Sequence, residues 1–215
     1  MYPKITLYGN KFATCTQRLL ILLEELELKY EFENVDLKSG EQKSVGFRKM
    51  NPFGKIPAMK YQESEDSEEK ILFESRSILR YLSNKYSDTV DLYPNVNTDM
   101  WLEAESQNYN PPISKLVHEL VFKKLADVEA KPDQDVVSKC TQELEKVLDI
   151  YNDRLKYSKY IAGNTFTIAD ISHIPYTNYL IKTSPEMKEL FKSKRHVYHW
   201  WKKISLRPSV AMTLL

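Results

Sequence analysis

Glycine is scarce in this chain, and its scarcity excludes a good deal. The 215 residues contain five: Gly9, Gly40, Gly46, Gly54 and Gly163. No two of them fall at the spacing of a dinucleotide fingerprint or a P-loop, so neither common phosphate-cradling turn is present. Cysteine is rarer still. Cys15 and Cys140 cannot build a disulfide framework, which points to a reducing compartment. A surplus of one charge is also missing: Lys and Arg total 31 against 30 Asp and Glu, a net charge of +1. Dedicated nucleic-acid or anionic-membrane binders concentrate Lys and Arg, and this balance argues against both. No apolar stretch approaches the ~20 residues that span a bilayer. Met1 to Lys4 lead into a strand-like run without a basic–apolar leader, so a soluble, cytoplasmic protein is expected. What the chain does have is 42% hydrophobic and 12% aromatic content, enough for a core and too apolar for disorder.

The first part alternates strand and helix signals. Residues 4–8 are short and β-rich, ending at Gly9. From about residue 14 to 26, Leu19, Leu20, Leu22, Leu23 and Leu26 recur at helical spacing. Residues 30–37 alternate Tyr30 and Phe32 with Glu31 and Glu33, a second strand. That βαβ pattern implies parallel strands with a right-handed crossover. Prolines 52 and 57 around Gly54 mark a turn. Two short runs, 58–61 and 71–73, flank a polar acidic tip and predict an antiparallel hairpin. A helix over 74–86 carries Ile78, Leu79 and Leu82 on one side. The sum, βαβ then ββα, is the arrangement of an α/β thioredoxin-like domain over residues 1–86. A polar linker is expected at 87–97 and an all-helical domain at 98–215. There, Pro111-Pro112 should kink or break the first helical run. Residues 133–155 carry a long apolar helical stripe that includes Cys140. Thr167-Ile168-Ala169-Asp170 reads as a capping box with Asp in place of the usual Glu, and a last helix covers 196–205.

Several strings then stand in a fixed order. They are Asn51-Pro52-Phe53-Gly54-Lys55-Ile56-Pro57-Ala58, Leu72-Phe73-Glu74-Ser75-Arg76-Ser77-Ile78, Phe166 to His173 with its capping box, and Trp200-Trp201 before Arg207-Pro208. With Gly40-Glu41-Gln42-Lys43 and the two-domain order, they resemble the cytosolic glutathione transferases, specifically the plant phi class, over nearly the whole chain. The resemblance implies a homodimeric enzyme that uses glutathione as co-substrate and attaches its thiolate to small hydrophobic electrophiles. It implies a cis step at Ile56-Pro57 that presents the Ile56 backbone to glutathione. It places the γ-glutamyl end at Glu74 and Ser75, where a helix start offers N–H groups and a positive dipole end. Gln42, Lys43 and Lys55 would contact the glycyl carboxylate and the peptide, with Gln42 standing where many members have His. Plain capping by Glu74 and Ser75 is the simpler reading of the same residues. An acceptor site lined by Phe12, Leu37, His118, Phe122 and Tyr179 is also implied, His118 serving either as a polar group for a phenolic ligand or as a solvent-facing residue.

One position departs from the family pattern. Aligning Tyr8-Gly9 and Gln17-Arg18 puts Ala13 where phi-like members carry the serine that activates the thiol. Alanine has no hydrogen to donate, and a hydrogen bond to a charged group contributes roughly 1.5–3 kcal/mol. Three substitutes are open. Thr14 can supply a hydroxyl, the helix start can stabilise the thiolate through its dipole, or Cys15 can act itself. Cys15 is expected to face inward as a small core residue, with a reactive thiol as the alternative. The Ala-x-Cys-x-Gln-Arg string also occurs in phi-like members that carry flavonoids, so a non-catalytic ligandin is the competing function. No metal is expected. His196 and His199 stand three apart, but no Cys or acid completes a ligand set, and Lys192, Lys194 and Arg195 read as a solvated basic run.

Overall fold

The computed structural model describes residues 3–214. Contacts divide the described chain into two compact units, residues 3–91 together with 212–214, and residues 92–211. In the first, β1 (Lys4–Gly9), α1 (Thr14–Glu25) and β2 (Glu31–Asn34) form the expected crossover, β1 and β2 running parallel with Gly9 opposite Asn34. The second strand is shorter than residues 30–37. After Val35 N donates to Gly9 O at 2.8 Å, Asp36 Oδ1 accepts from Lys38 N and turns the chain away. A short 3₁₀ turn at Glu41–Lys43 and α2 (Val45–Arg48) follow, the latter capped by Ser44 Oγ accepting from Phe47 N. Next come β3 (Ala58–Gln62) and β4 (Lys70–Phe73), an antiparallel hairpin, and α3 (Ser75–Lys85). The sheet order is β2-β1-β3-β4.

One face of this sheet carries the main core. Ile5 and Leu7 of β1 are buried, as are Leu19, Leu22 and Leu23 of α1 and Ile78, Leu79 and Leu82 of α3. Each such side chain contributes about 1.5–3 kcal/mol on burial. A second, smaller cluster joins Val35, Phe47 and Ala58, with Tyr8, Met50 and Ile56 against it. Phe47 therefore anchors the irregular 41–50 stretch to the sheet, close to the Ile56-Pro57 turn.

The second unit, residues 92–211, is helical. Its first helix, α4 (Val96–Ala104), begins inside the expected linker because Asn95 Oδ1 accepts from Asn97 N at 2.9 Å and caps it. Helical backbone then continues through a π turn at Glu105–Tyr109, α5 (Asn110–Val117), a second π turn at His118–Phe122 and α6 (Lys123–Ala126). Pro111-Pro112 does not break this run. Both prolines lie in the first turn of α5, directly after the wider π ring, where their missing N–H groups cost little. A helix of 21 residues follows, α7 (Gln134–Arg154), capped by Asp133 Oδ1. Then come α8 (Ile168–Thr183), α9 (Pro185–Ser193), α10 (Arg195–Ser205) and α11 (Pro208–Thr213). Helix α9 was not foreseen; it begins at Pro185, with Ser184 Oγ accepting from Met187 N at 3.3 Å.

Helix α8 organises this unit. Its N-terminus carries the expected capping box, with Asp170 Oδ2 accepting from Thr167 N at 2.9 Å. The same carboxylate accepts from Thr167 Oγ1, from Ile161 N at 3.1 Å and from Trp200 Nε1 of α10 at 2.7 Å. Asp170 is fully buried, so these donors tie three segments together where water cannot compete. Burial pushes its carboxyl up to about 6, against the lowering effect of its four donors. The folded protein thus holds the Asp170 proton more tightly than the unfolded chain does, whose reference value is 3.8. Its contribution to stability is greatest below about pH 4, declines as pH rises to about 6, and levels off above that. Asp170→Ala should lower unfolding stability by about 3–5 kcal/mol, measured by denaturant titration at pH 7. The stability difference between the native chain and Asp170→Asn should fall as pH rises from 4 to 6; a difference that grows over that range would contradict the raised value.

Candidate functional site

Strand register gathers the candidate residues of the first unit at one end of one sheet. Ala58 lies opposite Tyr8 on one side and opposite Phe73 on the other. The segment entering β3 therefore meets the segments leaving β1 and β4. Parallel pairing of β1 with β2 brings the segment leaving Asn34 to the same end. Phe12 to Cys15, Leu37, Lys55 to Pro57, and Glu74 with Ser75 all lie just beyond these strand ends.

The turn into β3 is built from side-chain and backbone hydrogen bonds. Asn51 is buried, its Nδ2 donates to Lys55 O at 2.7 Å, and its Oδ1 accepts from Phe53 N at 3.1 Å. Gly54 adopts φ +56°, and a Cβ there would fall 2.7 Å from Gln42 O. Only glycine fits this combination of left-handed backbone and close approach. Lys43 Nζ donates to Phe53 O at 3.2 Å, so the 41–43 turn and the 53–57 turn are joined on both sides of Gly54. The Ile56-Pro57 bond is cis, and the β3 ladder begins only at Ala58, so the backbone of Ile56 is not used by the sheet. Gln42 Oε1 is buried with no hydrogen-bond partner among the described residues. Asn51 was not singled out in the sequence, although Asn ahead of a Pro-x-Gly turn is a recognised signal for such a loop.

Across the ladder, Glu74 stands at φ +66° and ψ 104° immediately before α3. A non-glycine residue in that region costs about 1–3 kcal/mol and is held only where its surroundings enforce it. The Glu74 side chain is exposed and makes no cap hydrogen bond, and no acid sits in the first turn of the 11-residue α3. Ser75 is buried at the first helical position. The first-turn N–H groups and the positive end of the helix dipole thus face the strand-end region with a hydroxyl beside them, a suitable place for an anion.

The entry to α1 is different in kind. Ala13 is its N-cap residue and makes no side-chain cap bond. Thr14 is buried, whereas Cys15 is half-exposed, with Arg18 Nη1 donating to Cys15 Sγ at 3.5 Å. The expectation of an inward-facing Cys15 is therefore corrected: Thr14, Thr16, Gln17 and Arg18 take the buried positions and leave Cys15 at their margin. Gln17 Nε2 donates to Lys11 O at 3.0 Å, and Thr16 packs against Gly9, where a Cβ would come within 2.6 Å of Oγ1. These buried polar contacts fix the 9–13 loop. Phe12 remains 75% exposed and Leu37 39% exposed, both offering apolar surface to solvent.

In the helical unit, Phe122 and Tyr179 meet edge to face with ring centroids 5.3 Å apart. His118 is exposed, one turn before Phe122 in the same π segment. Cys140 is buried, and that burial raises its thiol, as expected of a core residue. Among the described residues, no group of three or more His, Cys, Asp or Glu is placed to hold a metal ion, and no helix is long and apolar enough to cross a membrane.

Comparison with known proteins identifies the family and the fold. The family model for the glutathione S-transferase N-terminal domain matches residues 3–84, and that for the C-terminal domain matches residues 109–208. Glutathione S-transferase F6 of Arabidopsis thaliana is 40% identical, the match covering 98% of this chain and 99% of that protein. A glutathione S-transferase of Silene vulgaris is 38% identical over 98% of this chain and 96% of its own length. Among solved structures, glutathione transferase F7 from Populus trichocarpa superposes with a TM-score of 0.87 at 38% identity, covering 97% of each chain. A maize glutathione S-transferase I in complex with an atrazine glutathione conjugate gives a TM-score of 0.84 at 29% identity, over 97% of this chain and 95% of that one. With both domain models matched in order and full-length relatives at this level of identity, the chain belongs to the glutathione S-transferase family and is similar to its plant phi-class members.

Proposed function

We propose that this protein is a glutathione transferase, joining the sulfur of glutathione to small hydrophobic electrophiles. The observation that carries the reading is the meeting, at one sheet end, of an unused Ile56 backbone and the open start of α3 at Glu74-Ser75. Glutathione is a peptide with anionic ends. Its backbone would pair with Ile56 N–H and C=O in the manner of an added strand. Its γ-glutamyl carboxylate would be held by Ser75 and the first-turn N–H groups of α3. Gln42, Lys43 and Lys55 would contact the glycyl carboxylate and the peptide, the Gln42 amide N–H and the two ammonium groups donating to the carboxylate. In the reaction the thiol loses its proton to solvent, the thiolate attacks the electrophilic carbon to form a C–S bond, and the leaving group departs with its electron pair.

The domain division follows from the same reading. Residues 1–86 would bind glutathione, 87–97 would connect the domains with α4 already begun at Val96, and 98–215 would contribute acceptor-side residues. On this reading Phe12 and Leu37 of the first unit, and His118, Phe122 and Tyr179 of the second, are the acceptor-side residues, the protein works as a cytoplasmic homodimer, and its physiological role is detoxification. Without a hydroxyl at Ala13, the thiolate relies on the positive end of α1, whose first turn holds no acid, with Thr14 and Cys15 as the neighbouring groups. A second reading is favoured by Ala13 itself. A chain lacking the activating hydroxyl can serve as a ligandin that carries flavonoids or similar aromatic compounds.

Ala13→Ser should raise the rate of glutathione conjugation to an aryl halide about tenfold or more, the worth of one hydrogen bond to a thiolate. Absence of turnover by both the native chain and this variant, together with tight flavonoid binding, would replace the transferase reading with the carrier. Ser75→Ala should weaken glutathione binding about tenfold by calorimetry while leaving the thermal unfolding midpoint nearly unchanged. Thr14→Ala and Cys15→Ala, assayed side by side, identify which neighbour the residual activity needs.

A further inference from the structure

The overall charge balance conceals a local asymmetry on α10. Its buried face is apolar, formed by Val197, Trp200, Trp201 and Ile204. Its other face carries Arg195, His199, Lys202 and Leu206, spaced four, three and four apart and all exposed. A helix rises 1.5 Å per residue, so Arg195 and Lys202 stand about 10 Å apart along one stripe. No Asp or Glu occurs anywhere in α10.

Several acids of the helices packed against α10 are already engaged. Glu145 and Asp149 of α7 both bind Lys194, at 3.2 and 2.6 Å, and Asp153 pairs with Lys156. Glu189 of α9 pairs with Lys192. No carboxylate among the described residues lies within ion-pair distance of Arg195, His199 or Lys202. Arg195, His196, Tyr198, His199 and Lys202 line a surface groove of about 410 Å³. The backbone beneath it is fixed where His196 N donates to Asn152 Oδ1 at 2.9 Å, and Lys202 Nζ lies 5.9 Å from the Tyr198 ring centroid.

A guanidinium presents a planar fork suited to phosphoryl oxygens, and an ammonium supplies a mobile point charge. Each imidazole offers at least one ring N–H in either protonation state. We propose that this face of α10 is a binding groove for a phosphate-bearing anion, with Arg195 and Lys202 as the charged ends and His196 and His199 as donors between them. Its length suits a ligand with more than one phosphoryl group or a row of phosphate headgroups better than a single small ion.

The test titrates the full chain with inorganic pyrophosphate at low salt, by calorimetry and by shifts of the His196 and His199 ring signals. In parallel, it is sedimented with phosphatidylcholine vesicles prepared with and without phosphatidic acid. Saturable pyrophosphate binding, or sedimentation only with phosphatidic acid, supports the groove, and whichever arm responds identifies a free or a lipid-borne phosphate. Arg195→Glu combined with Lys202→Glu should weaken that binding at least about tenfold, whereas Lys188→Glu on exposed α9 surface should not. Glutathione conjugation and the unfolding midpoint serve as controls and should be unchanged in both variants. Loss of equal size in the Lys188→Glu control would reduce the effect to general charge, and no binding in either arm would overturn the proposal.

Discussion

Ala58 stands between two partners, Tyr8 in β1 and Phe73 in β4, and this double registration is the constraint on which the candidate site depends. Side chains alternate along a strand, so a slip of one residue would reverse the faces of β3. Met59 and Tyr61 would then leave the core they now occupy. The same slip would part the Ile56-Pro57 turn from the start of α3. Burial of the sheet and placement of the glutathione-side residues are thus one condition, and the cost of violating it is the cost of unpacking the domain.

Loops at this strand end are fixed by short polar contacts and not by regular structure. Asn51 closes the turn before Pro57, Gly54 lets Gln42 O approach its backbone, and Phe47 pins the intervening stretch to the sheet. Such an arrangement holds backbone groups in place without ladder pairing, and the Ile56 backbone remains outside the sheet. The helical unit follows a comparable logic at Asp170, where one buried carboxylate joins Ile161, Thr167 and Trp200. In both units a few buried, hydrogen-bonded polar groups set positions that apolar packing alone leaves loose.

Glycine scarcity also takes on a physical meaning. An anion that meets the open start of an 11-residue helix needs no glycine-rich cradle. One glycine is indispensable at the site, Gly54, and one beside α1, Gly9, where Thr16 leaves no room for a Cβ. The near-neutral composition is likewise an average over unequal regions. Lys194 absorbs two acids of α7 while the outward stripe of α10 keeps its charge.

The sequence by itself determined the βαβ–ββα order, the hairpin, the capping box of α8 and the strings that identify the family, because each is written in local spacing and in residues with strong backbone preferences. It left open what depends on packing between distant segments. Pro111-Pro112 looked like a break until a π turn placed it in a helix's first turn. Cys15 looked buried until Thr14, Thr16 and Arg18 took the inner positions. Glu74's left-handed backbone carries no sequence signature, since no local preference favours it and only the junction of β4 with α3 enforces it. The unpaired stripe on α10 was equally hidden: whether a basic residue has an acidic partner is decided by which helix lies beside it, and that is a property of the tertiary structure alone.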